Sequence, residues 1–352
     1  MDKANLFDSR SMKIFMSPEY NYVFNKETGV FMRWGSEKQD NPNYSPFGPE
    51  IADIEISTIC SGINDKPCSH CYKSNTKQGF NMDFSTFKKI FNNLPKTVTQ
   101  IAFGIGDIDA NPDLFKILIY TRVKGVIPNI TINGVGLTNK YADELVKLCG
   151  AISISCYEEE DICYNAVRKL TERKHTQINI HSLISEETYK NNENLLDDRI
   201  SDFRLNNLNA IVFLALKPKG NRNKLTPLKS LKKWQHLIDN AIENNIDIGF
   251  DSCSAPWVME SFKNHPDYYR YKQLIEPCES FLFSIYINVF GEVYPCSFLE
   301  ESKYLSGNAT KSKLIDIWTN PKASCFRQYL INYSSKNDCR ECPVFDIYGD
   351  KR

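Results

Sequence analysis

The chain has 352 residues, 41% of them hydrophobic, enough to build one large α/β unit and a smaller one. Lys+Arg and Asp+Glu both number 43, so a formal net charge of zero gives no bulk attraction to nucleic acid or to an anionic membrane. The N-terminus lacks an apolar stretch of signal-peptide length, and the longest clean apolar run, residues 210–216, is too short to span a bilayer, so a cytoplasmic location is expected.

In chain order, residues 11–35 read as a hairpin, with strands at 13–16 and 29–34 and a turn at 25–29. A polar, Pro-containing linker over 35–48 leads to an apolar, strand-like run at 51–58. Strands are then expected over 98–103, 129–132, 151–155, 177–181, 210–216 and 246–251, alternating with helices over 84–94, 112–123, 140–148, 161–171, 186–196 and 227–244. Such alternation implies βαβ units and a parallel sheet, either doubly wound or a barrel; both bind ligands at the carboxyl ends of the strands. The pattern changes after about residue 251: residues 281–294 read as a hairpin turning at 288–291, followed by short helices at 315–319 and 323–331. The expected division is therefore an N-terminal hairpin and linker over 1–49, a core over 50–255 and a small α+β unit over 256–352.

Twelve cysteines without a signal peptide argue for metal or redox chemistry over a disulfide framework. Cys60, Cys68 and Cys71 crowd the loop after the first core strand; Cys278, Cys296, Cys339 and Cys342 gather near the end. Three thiolates on a four-iron cluster leave one iron open, whereas a structural zinc site closes its shell with four ligands. Cys149, Cys156, Cys163 and Cys325 read as small core or helix residues. Cys253 differs, since it follows the last candidate strand and its sulfur can face the same cavity as the open iron. The basic run 217–224 lies at a strand end and reads as a solvated loop.

Cys60-X7-Cys68-X2-Cys71 resembles the cluster loop of the radical S-adenosylmethionine (SAM) superfamily, although that family usually has three residues in the first gap. The segment Phe103-Gly-Ile-Gly106-Asp107 resembles the family's Gly-Gly-Glu-Pro motif, which receives the methionine amino group of SAM. Asn133 with Gly134 resembles the ribose-contacting segment, and Ser155 with Arg168 resembles the pair that meets the methionine carboxylate. His70 or Tyr72 is expected to pack on the adenine. Cys278-X12-Gly291-X4-Cys296 with Cys339-X2-Cys342 resembles the twitch domain, the short relative of the SPASM domain, and implies one auxiliary four-iron cluster.

The resemblance implies a partial (β/α)6 TIM-like barrel followed by a twitch domain. It also implies reductive cleavage of SAM to a 5'-deoxyadenosyl radical, which abstracts a substrate hydrogen, with electrons from a flavodoxin or ferredoxin. Twitch and SPASM relatives often act on ribosomally made peptides, so peptide modification by cross-linking, oxidation or epimerisation is the first expectation. Oxidation of a small molecule is the second. In an epimerisation, Cys253 is the candidate hydrogen-atom donor. From another class stands a non-catalytic zinc protein that uses both cysteine groups as structural knots.

Overall fold

A computed structural model describes residues 4–332, apart from 39, 158, 176, 273 and 274, together with 340, 342 and 343. Four short strands come first: β1 (Asn5–Asp8), β2 (Met12–Met16), β3 (Asn21–Asn25) and β4 (Phe31–Trp34), an antiparallel sheet in that order. The expected turn at 25–29 is present, closed by Gly29 N–H donating to Asn25 O at 2.9 Å. It joins β4 to β3, however, and β2 lies one strand further in, because Ser17 and Tyr20 form an additional tight corner (Ser17 Oγ to Tyr20 O, 2.7 Å).

The main sheet follows, with β5 (Ile51–Glu55), α1 (Phe84–Asn93), β6 (Gln100–Gly104), α2 (Leu114–Val123), β7 (Ile127–Ile132), α3 (Asn139–Leu148) and β8 (Ile152–Cys156). It continues through α4 (Glu160–Thr171), β9 (Ile178–Ile184), α5 (Tyr189–Ser201), β10 (Ala210–Ala215), α6 (Leu231–Glu243) and β11 (Ile248–Phe250). Strands β5 to β11 are all parallel and lie side by side in sequence order. A doubly wound sheet reverses its strand order at a switch point; this one does not, so the barrel alternative holds. After α7 (Ala255–Phe262) and α8 (Tyr268–Lys272) come β12 (Ser284–Ile287), β13 (Glu292–Tyr294) and β14 (Gly307–Asn308), then α9 (Leu314–Trp318) and α10 (Pro321–Asn332). Strand β12 pairs in parallel with β5, Ser284 opposite Ile51 through Ile287 opposite Ile54, and occupies the edge that closure onto β11 would need. The barrel is therefore open, and the C-terminal strands extend its sheet to ten strands.

Side chains alternate across the sheet. On β5, Ala52 and Ile54 join Phe87 and Ile90 of α1 in the buried core, so Asp53 and Glu55 face the opposite, concave side. The same alternation turns Ile178 and Ile180 of β9 to the core and His181 inward, and Ile152 and Ile154 of β8 to the core and Ser155 inward. Each fully buried Phe or Ile contributes about 1.5–3 kcal/mol, which fixes the register of every strand. Side-chain caps start the helices: Asp83 accepts from Thr86 N–H, Thr138 from Tyr141 N–H and Ser230 from Lys233 N–H.

The N-terminal sheet sits at the amino-terminal end of the barrel. Lys13 Nζ reaches Val98 O at 2.6 Å and the Tyr22 hydroxyl reaches Thr97 O at 2.9 Å, just before β6. Its inner face, Phe15, Tyr22 and Phe24, packs with Tyr20, Leu282 and Phe283. Loops at the carboxyl ends of the strands remain available for chemistry.

Candidate active site

The cysteine loop leaves β5 at the carboxyl end of the barrel, as expected. Its geometry depends on the loop after β6. Asp107 N–H donates to Ile59 O at 3.0 Å, and Ser61 N–H donates to Asp107 Oδ2 at 2.7 Å. The two loops touch so closely that a Cβ on Gly106 would stand 2.1 Å from Ile59 O and 2.7 Å from Cys60 Cβ. Only glycine fits there.

Cys60, Cys68 and Cys71 are all half-buried. Burial pushes the Cys60 thiol up to about 12; the Gly62 N–H opposes it, and Asp107 and the other two thiols add to the rise. The three sulfurs are thus close enough to feel one another's charge, in surroundings hostile to a thiolate without a cation. Among the described residues no three His, Cys, Asp or Glu side chains form a ready shell for a metal ion.

An iron–sulfur cluster supplies positive charge that such thiols need on losing their protons, so the donor set fits that group. For SAM, the test is Asp107. Its Oδ1 is buried and accepts no hydrogen bond, while Oδ2 is tied to the cysteine loop. A buried acceptor without a partner is costly, and an ammonium beside the loop would satisfy it.

Other expected contacts divide. Ser155 lies on the concave face two residues before Tyr157, whose ring stands 4.9 Å from that of His70, so His70 reaches across the mouth towards β8. Asn133 follows β7 at the same end, and its Oδ1 accepts from Val135 N–H at 3.0 Å, shaping its own turn. The Tyr72 ring packs on that of Phe298 at 4.4 Å, beside the C-terminal cysteine segment. Arg168 is not brought to the site. It sits in the last turn of α4 with its side chain 44% exposed, 3.7 Å from Glu172 and over the Phe203 ring, because the buried stripe Cys163, Tyr164, Ala166, Val167 and Leu170 uses the other face of the helix.

In the second cysteine group, Cys278, Cys296 and Cys342 act on one another electrostatically. Cys278 precedes β12, Cys296 follows β13 and Cys342 follows α10; Cys339 lies outside the described residues. Burial pushes the Cys296 thiol up to about 12, with Cys278 and Cys342 adding to the effect, and Cys278 rises for the same first cause. Cys278 Sγ donates to Ser280 Oγ at 3.4 Å, and Arg340 Nη1 holds Cys278 O at 2.9 Å. Cys253 belongs to this neighbourhood, since Cys278 and Cys296 both act on it. Burial holds its thiol well above the ordinary range despite the nearby Lys217.

Several site residues escaped the sequence reading. The basic run 217–224 is not a solvated loop. Lys217 is buried, paired with Asp251 and lies 4.8 Å over the Phe298 ring. Arg222 Nη2 donates to Asn75 O at 2.9 Å, with longer contacts to Cys68 O and Ser74 O at 3.4 Å. Gly220, at φ +102°, lies where a Cβ would meet Cys71 O at 2.3 Å. The run clamps the cysteine loop. On the concave face, Asp53 is half-buried, and burial lifts its carboxyl to about 7; burial likewise lowers His181 to about 4, so its imidazole is neutral. No motif marks these two residues, but alternation around the apolar positions of β5 and β9 would have placed them inward.

The iron–sulfur cluster-binding domain SPASM matches residues 278–343 of the chain. No curated protein sequence matches it. Among solved structures, SuiB of Streptococcus suis bound to its precursor peptide SuiA is similar with a TM-score of 0.71 at 13% identity, over 94% of this chain and 92% of SuiB. SuiB bound to S-adenosylmethionine gives 0.68 at 13% identity, over 95% and 98%. The anSMEcpe protein, with AdoMet and the Cp18Cys peptide, gives 0.56 at 15% identity, over 79% and 82%. With its ordered open barrel, the chain shares the fold of SuiB, and its C-terminal residues 278–343 match the SPASM iron–sulfur cluster-binding domain.

Proposed function

We propose that this protein is a radical SAM enzyme that modifies a ribosomally made peptide. The observation that carries the reading is Asp107: one carboxylate oxygen is bonded into the cysteine loop, and the other is buried, partnerless and beside it. Cys60, Cys68 and Cys71 would hold a four-iron cluster, and Asp107 Oδ1 would accept the methionine ammonium of SAM. Gly106 keeps the two loops in contact, and Asn133, Ser155 and His70 line the same mouth for the remainder of the cofactor. When bound, the reduced cluster and SAM supply a 5'-deoxyadenosyl radical that takes a hydrogen atom from the substrate. The concave face then orients the substrate and limits access of water, with Asp53 and the neutral His181 as its polar contacts. Cys278, Cys296, Cys339 and Cys342 would hold the auxiliary cluster.

A peptide is the favoured substrate because two proteins of similar fold were each observed with a peptide bound. A small redox protein such as a flavodoxin or ferredoxin is the proposed electron donor. Twelve cysteines suit a reducing cytoplasmic setting. A second reading, hydrogen return with epimerisation, draws on Cys253, since burial keeps it as the neutral thiol that can donate a hydrogen atom.

Anaerobic reconstitution tests the proposal. About eight irons per chain are expected, falling to about four in Cys60→Ala, Cys68→Ala or Cys71→Ala. SAM with a strong reductant should give 5'-deoxyadenosine from the parent chain and none from those variants. Stoichiometric zinc without visible absorption would overturn the reading. Incubation with short peptides encoded beside this gene should yield a product lacking two hydrogens for oxidation, or incorporating solvent deuterium for epimerisation. If Cys253→Ala still epimerises, the donor role is lost.

A further inference from the structure

Lys73 follows the third cysteine of the loop by two residues, and its side chain is only 12% exposed. Its ammonium lies 3.3 Å from Glu55 Oε1 on β5, donates to the Tyr286 hydroxyl on β12 at 2.8 Å and pairs with Glu300, which follows Cys296 by four residues. The Tyr286 hydroxyl donates in turn to Glu55 Oε2 at 2.9 Å, and Glu300 Oε1 accepts from Asn288 at 2.8 Å. Beside it, the Tyr72 ring stands 4.4 Å from that of Phe298, tilted by 37°, and Phe298 follows Cys296 by two residues. One buried cation and one ring therefore tie the cysteine loop to the strand before it and to the segment bearing Cys278 and Cys296. Around these ties lies an open cavity of about 380 Å³, lined by Tyr72, Lys73, Ser74, Ser297 and Glu300 among others.

Glu55 and Glu300 repel each other unless the ammonium stands near both, and the ammonium is poorly solvated unless both carboxylates are in place. Each side of the seam is thus ordered only when the other is. We propose that Lys73 is a positioning residue that couples the two cluster sites: order around Cys278 and Cys296 holds the Cys60–Cys71 loop in its binding form, and the loop stabilises the auxiliary site reciprocally. Coupling free energies are mutual, so loading either site strengthens the other. The inference rests on the two-cluster reading proposed above.

The test uses the reconstituted full-length chain and follows the rate at which a chelator strips the SAM-responsive cluster, by electron paramagnetic resonance and iron release. Removing the auxiliary site with Cys278→Ala and Cys296→Ala should speed stripping about fivefold or more in the parent background. In Lys73→Met, stripping is already fast, and removing the auxiliary site changes it no further. Lys73→Arg should restore part of the dependence. Glu300→Gln, which keeps the side chain's size, repeats the result where Lys73→Met folds poorly by circular dichroism. Equal stripping rates with and without the auxiliary cysteines would overturn the coupling. So would an undiminished auxiliary dependence in both Lys73→Met and Glu300→Gln. A parent chain that takes up no iron would instead sink the two-cluster reading.

Discussion

The two carboxylate oxygens of Asp107 differ, since Oδ2 braces the cysteine loop and Oδ1 is buried without a hydrogen-bond partner. Asp107→Asn keeps the size and an acceptor for Ser61 but removes the charge. It should leave the loop iron in place and weaken SAM binding about tenfold or more, measured by equilibrium dialysis. Asp53 gives a pH signature. Its folded carboxyl is raised to about 7 by burial, whereas the ordinary value is 3.8. Between those values the unfolded chain releases a proton that the folded chain keeps, so this group's contribution to stability falls as pH rises through that window. Asp53→Asn should therefore raise the melting temperature most above neutral pH and little in acid. His181, lowered to about 4, acts in the opposite sense: stability is lost as pH falls from the ordinary 6.5 towards that value. That Asp107 lies beside the cysteine loop was legible because it sits in a short segment directly after a core strand, whereas the outward direction of Arg168 was not, because position on a helix does not reveal which face the fold buries.

At the scale of elements, the loops after β5 and β6 behave as one unit. Gly106→Ala would drive a methyl into Ile59 O and Cys60, at a cost of about 1–3 kcal/mol by chemical denaturation, with less iron retained at the loop. The basic run 217–224 shows why element-level reading fell short. Four cations in eight residues describe a solvated loop in isolation, and only docking converts Lys217, Lys219 and Arg222 into clamps on Asp251, Phe298 O and the cysteine loop. Helix α5 starts three residues later than expected because Ser185 and Thr188 bond to each other and divert the backbone first. Strands and helices with long apolar faces lay close to where periodicity placed them, since burial of those faces is what the pattern records.

Across the whole molecule, the N-terminal sheet is fastened to both the barrel and the C-terminal region by Arg33. Its guanidinium pairs with Glu50 at 3.0 Å and Glu279 at 2.5 Å and stands 3.5 Å from the centre of the Phe283 ring. Glu50 is 2% exposed, so Arg33→Met strands a buried acid and should cost about 3–5 kcal/mol in denaturant unfolding. Adding Glu50→Gln should recover part of that loss. Among the described residues no helix is long and apolar enough to cross a membrane.

The sequence by itself determined the two cysteine groups, the acid after the second core strand and the βα alternation, because spacing along the chain and hydrophobic period are local properties. Only the tertiary structure decided that the strands lie in sequence order, that β12 takes the free edge of β5, and that Lys73 meets Glu55 and Glu300. Those contacts join residues far apart in the chain, 227 positions for Lys73 and Glu300, and no local pattern encodes them. They arise when apolar faces dock and leave a few buried charges one arrangement in which all are paired.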